Sequence, residues 1–418
     1  MASGALYRKA RTGAALLSLD GGGVKGISSL MILQRIMDRV REIENKERSF
    51  TDAAERLPRD YFDLAGGTST GGLAALMMFR LGMSTSQTID QYKTLASKVF
   101  APTIAGFEIH KLPLGYSLGN LWLWAKRLIK GASFSADRLE DAIDTVLQLP
   151  ELGPFRGSGS DLLYDPTKPS GMMLMCATVA EKGETVLFRS YKLPDDSQPQ
   201  SETAKKIDHS KITIKQACRA TSAAPTYLPE MWIGDISFWD GGLLNNNPVD
   251  QVWDARYDLP HARRHCVVSI GTSYFPEAIS KQTSSNHDND STSSSGGIAN
   301  LIQTAIRTVT FATNTEAKHW DFMGNNIRRN ARLPAAAAAA GAGHDHHTRY
   351  FRYNARASKQ VNLDDYQSMH VLVRDTDTYL AYFDRNLNAD GKPMNAAELD
   401  MHINECARQL AKTVPLEE

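Results

Sequence analysis

The chain has 418 residues, 42% of them apolar, which is enough for one large α/β domain or two modest ones. Its 47 basic side chains match its 47 acidic ones, so no net field draws it to nucleic acid, and no DNA- or RNA-reading motif is present. Cys176, Cys218, Cys266 and Cys406 form neither a CxxC pair nor a metal-ligand spacing, which argues for buried thiols in a reducing compartment and against a disulfide scaffold. No window approaches the ~18 apolar residues of a membrane-crossing helix. The segment Met1 to Lys9 lacks the apolar stretch of a signal peptide, so a cytoplasmic location is expected. Asn289-Asp290-Ser291 matches a glycosylation pattern that such a location leaves unused.

Taken in chain order, residues 14–19 are a short apolar run ending at Asp20, as in a buried parallel strand. Gly21-Gly22-Gly23-Val24-Lys25-Gly26 follows, and Leu30, Leu33, Ile36, Met37 and Val40 then recur at helical spacing. The same strand, glycine loop and helix order returns in residues 61–81. Tyr61 to Gly66 leads into Gly67-Thr68-Ser69-Thr70-Gly71-Gly72, and Leu73 to Leu81 has no polar face apart from Arg80, as in a buried helix. Residues 82–150 read as mainly helical, with Ser135 as an N-cap. Met172–Ala180 and Glu184–Tyr191 read as strands joined by Lys182-Gly183, Ile214–Arg219 as a helix start, and Ile233–Trp239 as a strand. His265–Ile270 and Tyr350–Tyr353 are further strands, and residues 375–386 and 396–413 further helices. Residues 281–299 are rich in Ser, Thr, Asn and Asp and offer nothing to bury, so a mobile surface insertion is expected there, within bounds of 276–300.

Gly67-Thr68-Ser69-Thr70-Gly71 fits the G-x-S-x-G nucleophile elbow. In that turn the serine sits on strained backbone, and side chains two residues away on either side would collide. The turn lifts Oγ clear of the sheet beside backbone N–H groups that can stabilise negative charge. The triple glycine after the first strand lets backbone approach a ligand, as an oxyanion hole or a phosphate cradle; the Walker spacing is absent. Asp240-Gly241-Gly242 places an acid at a strand's carboxyl end, where open α/β sheets collect reacting groups.

Together these three elements resemble the patatin-like phospholipase family. The resemblance spans residues 12–275 and continues more faintly through Tyr350–Asp365, in Arg352-Tyr353 and Leu363-Asp364-Asp365. Ala220-Thr221-Ser222-Ala223-Ala224-Pro225-Thr226-Tyr227-Leu228-Pro229 and Asn246-Asn247-Pro248 are similar to further family blocks. The resemblance implies a three-layer α/β/α fold with a mostly parallel central sheet. It implies Ser69 as nucleophile, Asp240 as its partner in a catalytic dyad, and an oxyanion hole near Gly22, Gly23, Val24 and Thr70. Gly21, Lys25, Gly26, Gly67, Gly71, Gly241 and Gly242 would support these motifs. It further implies hydrolysis of fatty-acyl esters of phospholipids or related lipids without metal or cofactor, and peripheral contact with membranes or lipid droplets. Residues 12–275 would form the catalytic core and 301–418 a mostly helical C-terminal part of the same domain.

Other features have two readings each. Lys25 steers an anionic head group or is simply exposed. Residues 116–130, with Leu118, Leu121, Trp122, Ala125 and Ile129 on one helical face, form a lid or interfacial helix, or pack in the core. Ala335–Ala340 extends a helix or loops out. His344, Asp345, His346 and His347 match no structured metal spacing and read as a solvated loop. Two rival functions stand beside the main one. One is a Ser-Asp-His α/β-hydrolase using His265, His319 or His370; the other is a non-catalytic lipid-binding protein.

Overall fold

A computed structural model describes residues 13–47, 53–100, 103–104, 107–108, 134–168, 170–194, 201–259, 264–276, 315–328, 348–388 and 391–413. The expectations for the first nine residues, for 116–130, for the serine-rich stretch 281–299, for Ala335–Ala340 and for His344–His347 lie outside the described residues.

The apolar run after residue 12 forms strand β1 (Gly13–Leu19), in which every residue is buried. Its side chains alternate between two cores. Ala15, Leu17 and Leu19 enter one apolar cluster, and Ala14 and Leu16 enter another on the opposite face. A strand covered on both faces belongs in the middle of a sheet, and β1 lies there. The remaining strands are β2 (Leu64–Thr68), the small separate pair β3 (Thr103–Ile104) and β4 (Phe107–Glu108), β5 (Met172–Val179), β6 (Glu184–Arg189), β7 (Met231–Ile233), β8 (Ile236–Asp240), β9 (Arg264–Ile270) and β10 (Arg349–Tyr353). The main sheet runs β10-β9-β1-β2-β5-β8-β7, with β6 also paired to β5. The five strands from β10 to β5 are mutually parallel; β6, β7 and β8 add antiparallel pairs.

The larger core lies under helices α1 (Gly26–Glu47), α2 (Pro58–Tyr61), α3 (Thr70–Ala75), α4 (Thr85–Phe100), α5 (Ala136–Leu147) and α6 (Ile214–Thr221). Beyond α7 (Gly242–Asn245), the opposite face is covered by α8 (Val249–Asp254) and α9 (Thr315–Phe322), where Trp253, Phe322 and Tyr350 pack together. Near the C-terminus, α10 (Met369–Asp384) and α12 (Ile403–Thr413) pack on α1, with short α11 (Ala396–Asp400) between them. The arrangement is α/β/α. Ser135 caps α5 by accepting the Asp137 N–H, as its sequence position suggests.

Three local expectations need correction. The strand expected over Ile233–Trp239 is a hairpin, because Gly234 adopts a positive φ of 58° and turns the chain between β7 and β8. The helix after Ser69 changes at Leu76 into a π-helical stretch (Leu76–Arg80), and Arg80 is buried with it, its guanidinium donating to the Leu163 and Leu162 carbonyls. The expected helix over 396–413 is broken into α11 and α12.

All four cysteines are free and buried. No helix among the described residues is long and apolar enough to cross a membrane.

Candidate active site

Ser69 follows the last residue of β2 and has φ 53° and ψ −126°. A non-glycine residue there carries ~1–3 kcal/mol of strain, which only a surrounding structure that fixes the turn can hold. The glycines two residues away on either side explain how the turn closes. A Cβ on Gly67 would sit 2.2 Å from the Gly71 carbonyl oxygen, and one on Gly71 would sit 2.4 Å from that of Leu19. Thr221 at the end of α6 locks the turn from the other side. Its Oγ1 accepts the Ser69 N–H at 2.9 Å and donates to the Cys176 carbonyl at 2.6 Å.

Asp240 reaches this level by a route that the sequence argument did not foresee. β8 runs antiparallel to β5, so its carboxyl end points against the parallel strands. Asp240 pairs with Ala177, one residue beyond Cys176, and Cys176 pairs with Thr68 of β2. Register, and not the carboxyl edge of a parallel strand, therefore sets it beside Ser69. Its backbone is tied to the α6 exit by the Asp240 N–H to the Ala223 carbonyl (2.9 Å) and the Gly241 N–H to the Thr221 carbonyl (3.3 Å). The carboxyl group is buried, which pushes its pKa up to about 6. The Gly242 N–H, 2.7 Å from Oδ1, and a hydrogen bond with the Ser69 side chain pull the other way.

The glycine-rich loop closes the third side. It is held by backbone from distant parts of the chain: Gly21 N–H donates to the Asn246 carbonyl and Val24 N–H to the Leu363 carbonyl, both at 2.9 Å. The Val24 N–H is thus already engaged, which corrects its expected place among the oxyanion donors. The N–H groups of Gly22 and Gly23 have no partner among the described residues. Gly23 has φ 56°, and a Cβ there would strike the Leu363 carbonyl oxygen at 2.0 Å, so no other residue fits. Tyr92 of α4 donates its hydroxyl to the Gly23 carbonyl. Lys25 is half-buried, and burial lowers its pKa against the opposing charge of Asp20.

Beneath the loop, Asp20 is gripped by Arg352 of β10 through two bonds, 3.0 Å to Oδ1 and 2.7 Å to Oδ2. The same guanidinium reaches Ser269 Oγ (2.9 Å) and Glu316 (2.9 Å), and Asn354 completes the Glu316 contact at 2.7 Å. Tyr92, Thr221, Arg352 and Leu363 were not assigned roles by sequence reasoning. Thr221, Arg352 and Leu363 lay within quoted blocks, but Tyr92 occupies an ordinary helix position and had no distinguishing signal.

Ser69, Asp240, Gly22, Gly23 and Thr70 together line one cleft, about 710 Å³ when the solvent at its open mouth is counted with it. Its other walls are mostly apolar. No histidine lines it among the described residues. His265 packs edge-on to Trp253, His319 bonds the Tyr350 hydroxyl at 3.0 Å, and His370 bonds the Gln367 carbonyl at 2.7 Å. No group of three or more His, Cys, Asp or Glu among the described residues is placed to hold a metal ion.

A serine on a strained strand-to-helix turn, next to a buried carboxyl and over a sheet covered on both faces, defines a recognisable class of site. The patatin-like phospholipase profile matches residues 17–253, more than half of the chain, and the chain belongs to that family. It is 23% identical over 357 residues to calcium-independent phospholipase A2-gamma of Rattus norvegicus, covering 84% of this chain and 36% of that protein. It is 25% identical over 305 residues to phospholipase A I of Arabidopsis thaliana, covering 65% of this chain and 21% of that protein. A cGAMP-activated phospholipase of Vibrio cholerae is 26% identical over 275 residues, covering 64% and 66% respectively. The chain therefore spans only about a third and a fifth of the lengths of the first two relatives.

Proposed function

We propose that this chain is a serine acyl hydrolase that cleaves fatty-acyl ester bonds of phospholipids or related lipids. The observation that carries this reading is the pairing of strained Ser69 with buried Asp240 in the lining of an apolar cleft, beside the unengaged Gly22 and Gly23 N–H groups. Asp240 takes the Ser69 hydroxyl proton as Oγ attacks the ester carbonyl. The carbonyl π pair moves onto oxygen, where the Gly22 and Gly23 N–H groups, with that of Thr70 at the start of α3, stabilise it. Collapse breaks the bond to the alcohol or lysophospholipid, which leaves with the proton from Asp240. Water then gives a proton to Asp240 and attacks the acyl-enzyme; the fatty acid departs, and Ser69 regains its hydroxyl.

A carboxylate with an ordinary pKa of ~3.9 is a weak base. Burial, which raises Asp240 to about 6, makes it a better one while leaving it ionised at neutral pH. The scheme uses no metal or cofactor. A substrate of this kind resides in a bilayer, so the mouth of the cleft would meet a membrane surface peripherally. The test is to incubate the protein with a mixed phospholipid extract and identify the products by mass spectrometry, with Ser69→Ala as control. Free fatty acid and lysophospholipid, absent from the control, are expected. If folded wild-type protein releases neither and is not labelled by a fluorophosphonate, the proposal fails.

A further inference from the structure

The glycine-rich loop ends in a glycine that its own backbone does not require. Gly26, the first residue of α1, has ordinary helical dihedrals (φ −60°, ψ −13°), which alanine would adopt with less loss of chain entropy. What excludes a side chain there is Tyr92 of α4: a Cβ on Gly26 would sit 2.2 Å from the Tyr92 hydroxyl oxygen. The loop keeps this position open for one hydroxyl, and that hydroxyl donates to the carbonyl of Gly23.

Tyr92 closes a set of bonds around Gly23. The peptide before Gly23 is held at the Gly22 carbonyl, which accepts the Lys25 N–H at 3.1 Å. A trans peptide points its N–H away from its carbonyl, so this bond turns the Gly23 N–H away from Lys25. The peptide after Gly23 is held at both ends. Its carbonyl accepts from Tyr92 and from the Gly26 N–H, and its Val24 N–H donates to the Leu363 carbonyl at 2.9 Å. With both planes fixed, Gly23 is kept at its φ of 56°. Of these partners, Tyr92 alone acts through its side chain. It is buried, and burial raises the phenol above its usual pKa of 10, so the hydroxyl keeps its proton and remains a donor. Tyr92, Leu95 and Val99 fall on one face of α4, and Leu95 and Val99 line the cleft, so one helix carries both the loop's fastener and a wall of the site.

We propose that Tyr92 is a positioning residue of the oxyanion site: its hydroxyl holds the Gly23 peptide so that the Gly23 N–H faces the cleft before an ester arrives. This rests on the reading of Ser69 as an acyl-enzyme nucleophile and adds to it a residue outside the cleft lining. A donor stabilises the tetrahedral oxyanion most when it is already aimed where the charge develops, and a run of glycines has too free a backbone to aim itself. Removing the hydroxyl leaves the Gly26 N–H on the Gly23 carbonyl, so the loop stays folded while the peptide gains freedom to swing. The loss therefore falls on the transition state and not on ground-state binding.

The experiment compares wild type with Tyr92→Phe, which keeps the buried ring, and with Gly26→Ala, which pushes the hydroxyl off the Gly23 carbonyl and serves alone if Tyr92→Phe does not fold. On a soluble p-nitrophenyl ester, kcat should fall about 10–100-fold in each, short of the ~10²–10³-fold cost of removing an oxyanion donor outright, with KM within about twofold of wild type. A trifluoromethyl ketone gains a bond from Ser69 Oγ at its carbonyl carbon as Asp240 takes the hydroxyl proton, which leaves an oxyanion in the site. Its affinity should fall by the same factor as kcat, while that of the matching methyl ketone, which stays trigonal, should hold. Amide hydrogen exchange over residues 20–26 should quicken in both variants. Folded variants with wild-type kcat, or with equal losses of affinity for the two ketones, would overturn the assignment. If wild type neither hydrolyses the ester nor reacts with a fluorophosphonate, the acyl-hydrolase reading falls and exchange decides alone: quickening confined to the loop upholds Tyr92 as its fastener, and unchanged exchange removes it.

Discussion

Two aspartates are buried on the side of the sheet where the chain leaves β1 and β2, and burial raises both to about 6. They differ in what faces them. Asp20 has both oxygens gripped by the guanidinium of Arg352, which also holds Glu316 and Ser269. Asp240 meets a backbone N–H and the Ser69 side chain, and no cation is among the groups that set its pKa. A buried carboxylate with a bidentate counter-charge has both oxygens committed to that cation. A buried carboxylate with only hydrogen-bond donors around it gains basicity from the same burial. Equal burial thus makes one aspartate a fastener for the glycine-rich loop and leaves the other able to move a proton.

The sharpest way to break this contrast is to remove each acid's partner. Ser69→Ala should abolish hydrolysis and phosphonate labelling. Asp240→Asn should cost about 10²–10⁴-fold in kcat/KM on a soluble ester, the usual contribution of a general base. The double variant should be scarcely worse than the worse single, because the two groups act on one route. If folded Asp240→Asn keeps more than about a tenth of wild-type kcat/KM, Asp240 is not the base. In wild type, kcat/KM should fall tenfold per pH unit below about 6, as the free enzyme's carboxylate is protonated. An acid limb near 4 would mean that burial does not tune Asp240.

At the other aspartate the expected effect is on stability. Arg352→Met leaves Asp20 buried without its counter-charge and should cost about 3–5 kcal/mol in urea denaturation. Asp20→Asn combined with Arg352→Met should recover much of that loss, since the fully buried charge is then gone and only the partly exposed Glu316 is left without its arginine. A single Arg352→Met as stable as wild type would mean that the clamp does not hold the loop.

The contrast between the two acids also marks how far the sequence could be read. The strands and most helices were legible because their apolar runs have the right lengths and glycines punctuate them. Ser69 was legible because the collision of Gly67 with Gly71 is a local fact, written within five residues. Asp240 was legible as a residue but not as a position. It arrives through an antiparallel strand whose register depends on β5, and Gly234 was not recognised as the turn that creates that strand. Arg352 and Leu363 act on Asp20 and Val24 across more than 300 residues, a distance that no periodicity reports. Val24 was misassigned for the same reason: the acceptor that engages its N–H is a backbone carbonyl, and a carbonyl leaves no trace in residue identity.

The smallest expected effect is also the one that isolates burial from catalysis. The Asp240 pKa is raised from 3.8 in the free side chain to about 6 in the folded chain. Below the lower value both folded and unfolded chains hold the proton, and burial of the neutral acid is cheap. As pH rises through the window between 3.8 and about 6, the unfolded chain loses the proton first, so the stability contributed by Asp240 falls; above about 6 the loss is complete. Asn is neutral throughout and can keep the Gly242 N–H on its own Oδ1. Asp240→Asn should therefore match wild type near the acid end of the window and become more stable than wild type above it, by on the order of 2–3 kcal/mol at most. Asp20 titrates over the same range, but it is present in both proteins and cancels in the difference. Urea denaturation at about pH 3.5 and pH 7.5 measures the difference at each end. A gain that is the same at both pH values, or a loss at the higher one, would show that Asp240 is not held in a desolvated site, and the contrast with Asp20 would collapse.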